Sequence, residues 1–129
     1  METAKRILIV DDDLNTCEIM SMELAKEHYE VVSTRSGHEA LKLIDAQDFD
    51  LLLVDVFLPR VGGEAILHHV KSTRPEMKVV MITGMGDDAL WVDLMNKGAC
   101  EVIAKPFRPN QLARVVERFL HAPGSSAKS

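Results

Sequence analysis

The sequence predicts an α/β domain, a five-stranded parallel sheet with helices on both faces. Short Val/Ile/Leu-rich runs alternate with longer amphipathic stretches five times along the 129-residue chain. The runs mostly lack polar alternation, as expected for strands covered on both sides. Strand and helix follow one another through short connections, which is the pattern of a parallel sheet rather than of a hairpin stack.

Taken in order, the strand runs are Ile7 to Val10, Val31-Val32, Leu51 to Val56, Val79 to Ile82 and Val102 to Ala104. Each is too short for a helix. The first helix carries the stripe Leu14, Cys17, Met20, Leu24, with Asp13 placed to cap it. Ala40, Leu41 and Ile44 mark the second helix, and Ile66, Leu67 and Val70 the third, which Gly62-Gly63 precedes and Pro75 follows. The fourth, with Leu90, Trp91, Val92, Leu94 and Met95, is apolar on more than one face and ends before Gly98. Leu94 and Val92 read as core, whereas Trp91 is a candidate for an interaction surface. Leu112, Val115, Val116 and Phe119 show i, i+3, i+4, i+7 spacing in the last helix, which Pro109 opens.

Composition sets the class. Charged residues at 27% and hydrophobic ones at 47% match a globular domain and exclude a disordered or collagen-like chain. A net charge of −5 with only 5% aromatics offers neither a basic groove nor stacking platforms, so nucleic acid is not expected as a ligand of this chain. Cys17 and Cys100 form no metal-binding spacing and read as reduced. No apolar run approaches a membrane span, and the run at Ile7 to Val10 is too short and too acidic in its flank for a signal peptide; a cytoplasmic location is the expectation. Residues 1–121 read as one domain, and 122–129 (Ala-Pro-Gly-Ser-Ser-Ala-Lys-Ser) as a flexible tail or the start of a linker.

The functional signal lies at the carboxyl ends of the strands. Asp11 and Asp12 follow the first strand, Asp55 the third, Thr83 the fourth and Lys105 the fifth. Open parallel sheets place their ligand crevice at that edge. Singly, each residue has an ordinary explanation as a turn, a cap or a solvated charge. Jointly they do not, because two unit charges about 4 Å apart interact by roughly 4 kcal/mol at an effective dielectric near 20. Converging carboxylates therefore require a proton or a cation. Lys105 supplies one positive charge, and Mg2+, a hard ion that shares its shell with water and phosphate, suits the remainder. Such a site fits phosphoryl transfer, with Asp55 as the nucleophile and Thr83 and Lys105 as partners of the phosphoryl oxygens. Gly84 leaves the approach to Asp55 open.

These residues stand within ILIVDDD (Ile7 to Asp13), FDLLLVDVFLP (Phe49 to Pro59), VVMITG (Val79 to Gly84) and GACEVIAKPF (Gly98 to Phe107). With that spacing, over about residues 5 to 120, the chain resembles the receiver domain of two-component response regulators. The resemblance implies a flavodoxin-like (βα)5 three-layer sandwich of strand order 2-1-3-4-5. It implies that Asp55 accepts a phosphoryl group from the phosphohistidine of a sensor histidine kinase or phosphotransfer protein. Mg2+ would be held by Asp11, Asp12, Asp55 and the backbone carbonyl of Phe57, and the Lys105-Pro106 bond would be cis. The signal would leave through the fourth helix, fifth strand and fifth helix, toward an effector protein or domain or a second copy of the chain.

Three features depart from the family pattern or refine it. Val102 stands where the family usually has Tyr or Phe, so the Thr83 shift is expected to travel instead through the backbone from Gly84 to Asp88. Phe57 and Met85, two residues after Asp55 and Thr83, are apolar and cannot orient a water, which points to a long-lived aspartyl phosphate. An exposed Trp91 would suit a partner surface or a homodimer. His68-His69 point in different directions on a helix and read as solvated, and Lys5, Arg6, Arg108, Arg114 and Arg118 as ordinary surface charge. A phosphatase or mutase with an aspartyl phosphate is disfavoured because Phe57 stands where such enzymes need an acid. A flavin site is disfavoured because Asp11-Asp12-Asp13 would repel its phosphate. A phosphorylation-incompetent module leaves the joint presence of the site residues without a reason.

Overall fold

The computed structural model describes residues 4–84 and 87–121; Met85 and residues 122–129, which carry two of the expectations above, lie outside them. The chain forms β1 (Arg6–Val10), α1 (Leu14–Ala25), β2 (Glu30–Thr34), α2 (Gly37–Ala46), β3 (Leu51–Asp55), α3 (Gly63–Thr73), β4 (Lys78–Thr83), α4 (Asp88–Asn96), β5 (Glu101–Ala104) and α5 (Gln111–Leu120). All paired strands are parallel, in the order β2-β1-β3-β4-β5. This is the flavodoxin-like order, with its reversal point between β1 and β3.

Side-chain alternation along each strand divides the interior in two. Leu8, Val10, Leu52, Val54, Val79, Met81 and Val102 face one layer, where they pack with Ala40, Ile44, Ile66, Leu67, Val70 and Leu94 of α2, α3 and α4. Ile7, Ile9, Leu51, Leu53, Val80, Ile82 and Ile103 face the other, against Cys17, Met20 and Leu24 of α1 and Leu112, Val115 and Val116 of α5. Burying each such side chain contributes about 1.5–3 kcal/mol, so slipping any strand by one residue would turn its apolar set onto the wrong layer. Every residue of the central β3 is buried, whereas β2, on the edge, is partly exposed. That explains why only Val31-Val32 of β2 stands out as apolar.

The helix starts follow local chemistry. Asp13, Ser36 and Asp87 cap α1, α2 and α4, accepting from the backbone N–H of Thr16, Glu39 and Ala89. The last helix differs from expectation. It begins at Gln111 rather than at Pro109, and its N-cap Asn110 is left-handed (φ 65°) and makes no side-chain cap bond. Glu23 of α1 takes over that duty, its Oε2 accepting from the Ala113 N–H at 2.9 Å.

Several surface expectations are corrected. Leu14 lies outside the α1 stripe and is half-exposed, and Val92, expected in the core, is 57% exposed because α4 meets the sheet through Leu94. Arg6 is no free surface charge. Its guanidinium donates to Asp48 O and Gln47 Oε1, both at 2.8 Å, pairs with Glu30 and lies 4.8 Å above the Phe49 ring. His69 is likewise not simply solvated, since its Nε2 lies 2.8 Å from Asp45 Oδ1 and links α3 to α2. Arg118 pairs with Glu101 at 3.7 Å.

Candidate functional site

Parallel pairing brings the strand ends to one rim. Val10 stands opposite Val54, Asp55 opposite Ile82 and Thr83 opposite Ala104. Asp11, Asp55, Thr83 and Lys105 therefore emerge side by side from β1, β3, β4 and β5. The carboxylates of Asp11, Asp12 and Asp55 each offer an oxygen, and these lie within 4.8 Å of one another. The convergence expected from sequence is present.

Asp11 is fully buried. Its backbone N–H donates to Thr34 O at 3.2 Å, its carbonyl accepts from the Cys17 thiol at 3.1 Å, and its Oδ1 accepts from the Asp13 N–H at 2.9 Å. Its Oδ2 lies 2.8 Å from Lys105 Nζ as an ion pair, yet receives no well-directed hydrogen bond. Asp12 is exposed. Asp55, 6% exposed, closes β3; its Oδ1 accepts from the Phe57 N–H at 3.2 Å and its Oδ2 from Lys105 Nζ at 3.3 Å. One ammonium thus spans two carboxylates.

The electrostatics follow from that geometry. Burial pushes the Asp55 carboxyl above its ordinary range and the neighbouring Asp11 charge pushes the same way, against the Phe57 N–H and Lys105. Burial works against the charge on Lys105, but its close pairing with Asp11 and the fields of Asp55 and Asp11 prevail and hold its pKa above the ordinary value. Asp13 is different. The Thr16 hydroxyl on its carboxylate lowers its pKa, as suits a helix cap rather than a ligand.

Backbone packing holds Asp55 in place. A Cβ on Gly63, the first residue of α3, would come within 2.4 Å of the Asp55 carbonyl oxygen, and the Gly63 N–H donates to Val56 O at 3.0 Å. Only glycine lets α3 start so close to the strand end. Sequence reading used Gly63 as punctuation alone and missed this role, which the close approach of two backbones sets.

Thr83, the last residue of β4, is 4% exposed, and its carbonyl accepts from the Lys105 N–H at 2.8 Å. Gly84 is exposed, and a Cβ there would meet nothing within 4 Å among the described residues, in keeping with an open approach. Lys105-Pro106 is cis. Phe57 is 55% exposed beside Asp55, and Val102 is buried in the same core cluster as Leu94, so no ring stands there to reorient. The Gly84 to Asp88 segment is described only in part, since residues 85 and 86 fall outside it.

Comparison with known proteins agrees with the geometry. The family model described as "Response regulator receiver domain" matches residues 7–117. The transcriptional regulatory protein ZraR of Salmonella typhimurium is 32% identical over 114 residues, which cover 88% of this chain and 26% of that protein. Response regulator DrrB of Thermotoga maritima superposes with a TM-score of 0.85 at 33% identity, over 92% of this chain and 54% of that one. TrrA from Thermotoga maritima, solved "in complex with Mg(2+)-BeF", superposes with a TM-score of 0.82 at 30% identity, over 90% of this chain and 99% of that one. The chain spans about half the length of some curated relatives and about a quarter of others. A matched family model across nearly all of the folded region, on a sheet of this order, establishes that the chain belongs to the response regulator receiver domain family.

Proposed function

We propose that this chain is a phosphoacceptor switch of a two-component pathway and that Asp55 is the residue phosphorylated. The observation that carries the reading is the meeting of Asp11, Asp12 and Asp55 with Lys105 laid across Asp11 and Asp55. A carboxylate oxygen of Asp55 attacks the phosphorus of a phosphohistidine, the P–N bond breaks, and the imidazole leaves and takes up a proton. Lys105 neutralises charge on a phosphoryl oxygen, and the Thr83 hydroxyl donates to another.

The site fits a divalent cation, because a buried oxygen of Asp11 has a charge partner but no directed donor, and three carboxylates cluster where one ammonium pairs with only two of them. Asp11, Asp12, Asp55 and the Phe57 carbonyl would hold Mg2+, a hard ion for oxygen ligands. Mg2+ bound there supplies neutralisation of the carboxylates and of the transferring phosphoryl group. The Mg(2+)-BeF complex of the similar TrrA supports this choice of ion.

The donor is a sensor histidine kinase or phosphotransfer protein, and residues 1–121 act as the phosphoacceptor unit, in the cytoplasm. Among the described residues no helix is long and apolar enough to cross a membrane. The output leaves through α4, β5 and α5, where Trp91, Val92 and Met95 are exposed, toward an effector or a second copy. Hydrolysis of the aspartyl phosphate is the chain's own and slow, because exposed, apolar Phe57 flanks Asp55 and offers no group to orient a water. A phosphoesterase reading lacks its acid for the same reason.

The test is to incubate the chain with Mg2+ and acetyl phosphate and weigh it. Wild type gains one phosphoryl group and Asp55→Asn gains none. Equal labelling of the two would overturn the assignment, and turnover of phosphoesters would restore the enzyme reading.

A further inference from the structure

The loop from Asp11 to Asp13 carries two of the three clustered carboxylates, and its three residues are held very unequally. Asp11 is buried and bound through its N–H, its carbonyl and its carboxylate. Asp13 is bound to α1 by its capping carboxylate and by its carbonyl, which accepts from the Cys17 N–H at 3.1 Å. Asp12 lies between them, exposed, and its carboxylate makes no hydrogen bond or ion pair among the described residues. Its carbonyl oxygen accepts from Arg35 Nε at 3.2 Å. Arg35 directly follows β2, and its position is set by the pairing of Val10 with Thr34 and by the Asp11 N–H on Thr34 O.

We propose that Arg35 is a positioning residue for the acidic site: by holding the Asp12 carbonyl from the end of β2, it keeps the Asp12 carboxylate within ligand distance of Asp11 and Asp55. The inference rests on the metal reading given above. A carbonyl fixed in place restrains the backbone of the residue that bears it and leaves that residue's own side chain fewer directions to explore, and a ligand already ordered loses less entropy when a cation binds. Groups behind metal ligands act in this way even when they never touch the ion.

Arg35 has a second effect of opposite sign. Its positive charge near the carboxylates repels a cation, so a residue acting through charge alone would weaken binding, and its removal would tighten it. The two roles therefore predict opposite outcomes for one substitution.

The experiment measures Mg2+ affinity of the full chain by isothermal titration, for wild type, Arg35→Ala and Arg35→Lys, alongside melting curves in EDTA. The expected result is roughly tenfold weaker Mg2+ binding in Arg35→Ala, the low end of the range for groups behind metal ligands. Arg35→Lys, which keeps a donor and the charge, recovers part of the loss. Unchanged melting in EDTA shows that both variants fold, since Arg35 is exposed. Unchanged or tighter binding in Arg35→Ala overturns the positioning role and leaves the metal site intact. Absence of Mg2+ binding by wild type itself overturns the metal reading, and the role of Arg35 with it.

Discussion

At the scale of single residues, the chemistry turns on a conflict that folding creates. Asp55 is buried beside Asp11, so the folded state holds a proton on Asp55 more tightly than the unfolded chain does. Ionisation of Asp55 therefore costs folding free energy. The stability it contributes in acid is lost as pH rises from the ordinary carboxylate range through its raised pKa. Asp55→Asn should remove that pH dependence and raise the stability of the metal-free protein at neutral pH. Urea denaturation in EDTA across pH checks this, and an Asn variant less stable than wild type would show that the carboxylate is not under strain. Phe57 concerns the lifetime of the phosphorylated state. Phe57→Asn places a polar group next to Asp55 and should speed loss of the phosphoryl group about tenfold or more, followed by mass after the donor is removed.

Among the elements, α4 and α5 are anchored unequally: α4 buries Leu94 alone, whereas α5 buries Leu112, Val115 and Val116. Leu94 is the buried anchor of α4, while Val92 and Trp91 face outward. Leu94→Ala should cost about 2–4 kcal/mol through the cavity it leaves. Val92→Ser should stay within about 0.5 kcal/mol, because it removes no core contact. Thermal melts of the two variants compare them directly, and a large loss with Val92→Ser would mean that α4 packs by another face. Lys97 braces the same helix, bonding Glu64 of α3 at 2.7 Å and Asp93 at 2.9 Å, though such exposed pairs contribute little individually. The N-terminus of α5 is held both by Glu23 of α1, which accepts from the Ala113 N–H, and locally by Gln111, whose Oε1 accepts from the Arg108 N–H. Both helices belong to the face through which the switch is proposed to signal, and α4, with one buried anchor, is the one that shifts at the lower energetic cost.

For the whole molecule, the site is a property of the sheet. No one strand carries it. Four parallel strands end at one rim, where Asp11, Asp12 and Asp55 gather beside Lys105. A ligand that binds only the folded state stabilises it by mass action, by about 2.7 kcal/mol at a concentration one hundred times its Kd. Added Mg2+ should therefore raise the melting temperature of wild type and have little effect on Asp11→Asn or Asp55→Asn. A similar rise in all three would place the ion elsewhere.

The amino-acid order alone determined the alternation of elements, the strand ends that bear Asp11, Asp55, Thr83 and Lys105, and the caps at Asp13 and Gly62-Gly63. These are legible because apolar runs, periodicity and turn residues act over a few neighbours. The tertiary structure decided which face of α4 meets the sheet, which is why Val92 was misplaced: an all-round apolar helix has no periodicity to choose its face. It also decided that Arg6 clamps the α2 to β3 connection, that His69 pairs with Asp45, and that Glu23 caps α5 from 90 positions away in sequence. Partners so distant share no local pattern, since only the packing of both layers on one sheet brings them within hydrogen-bond reach.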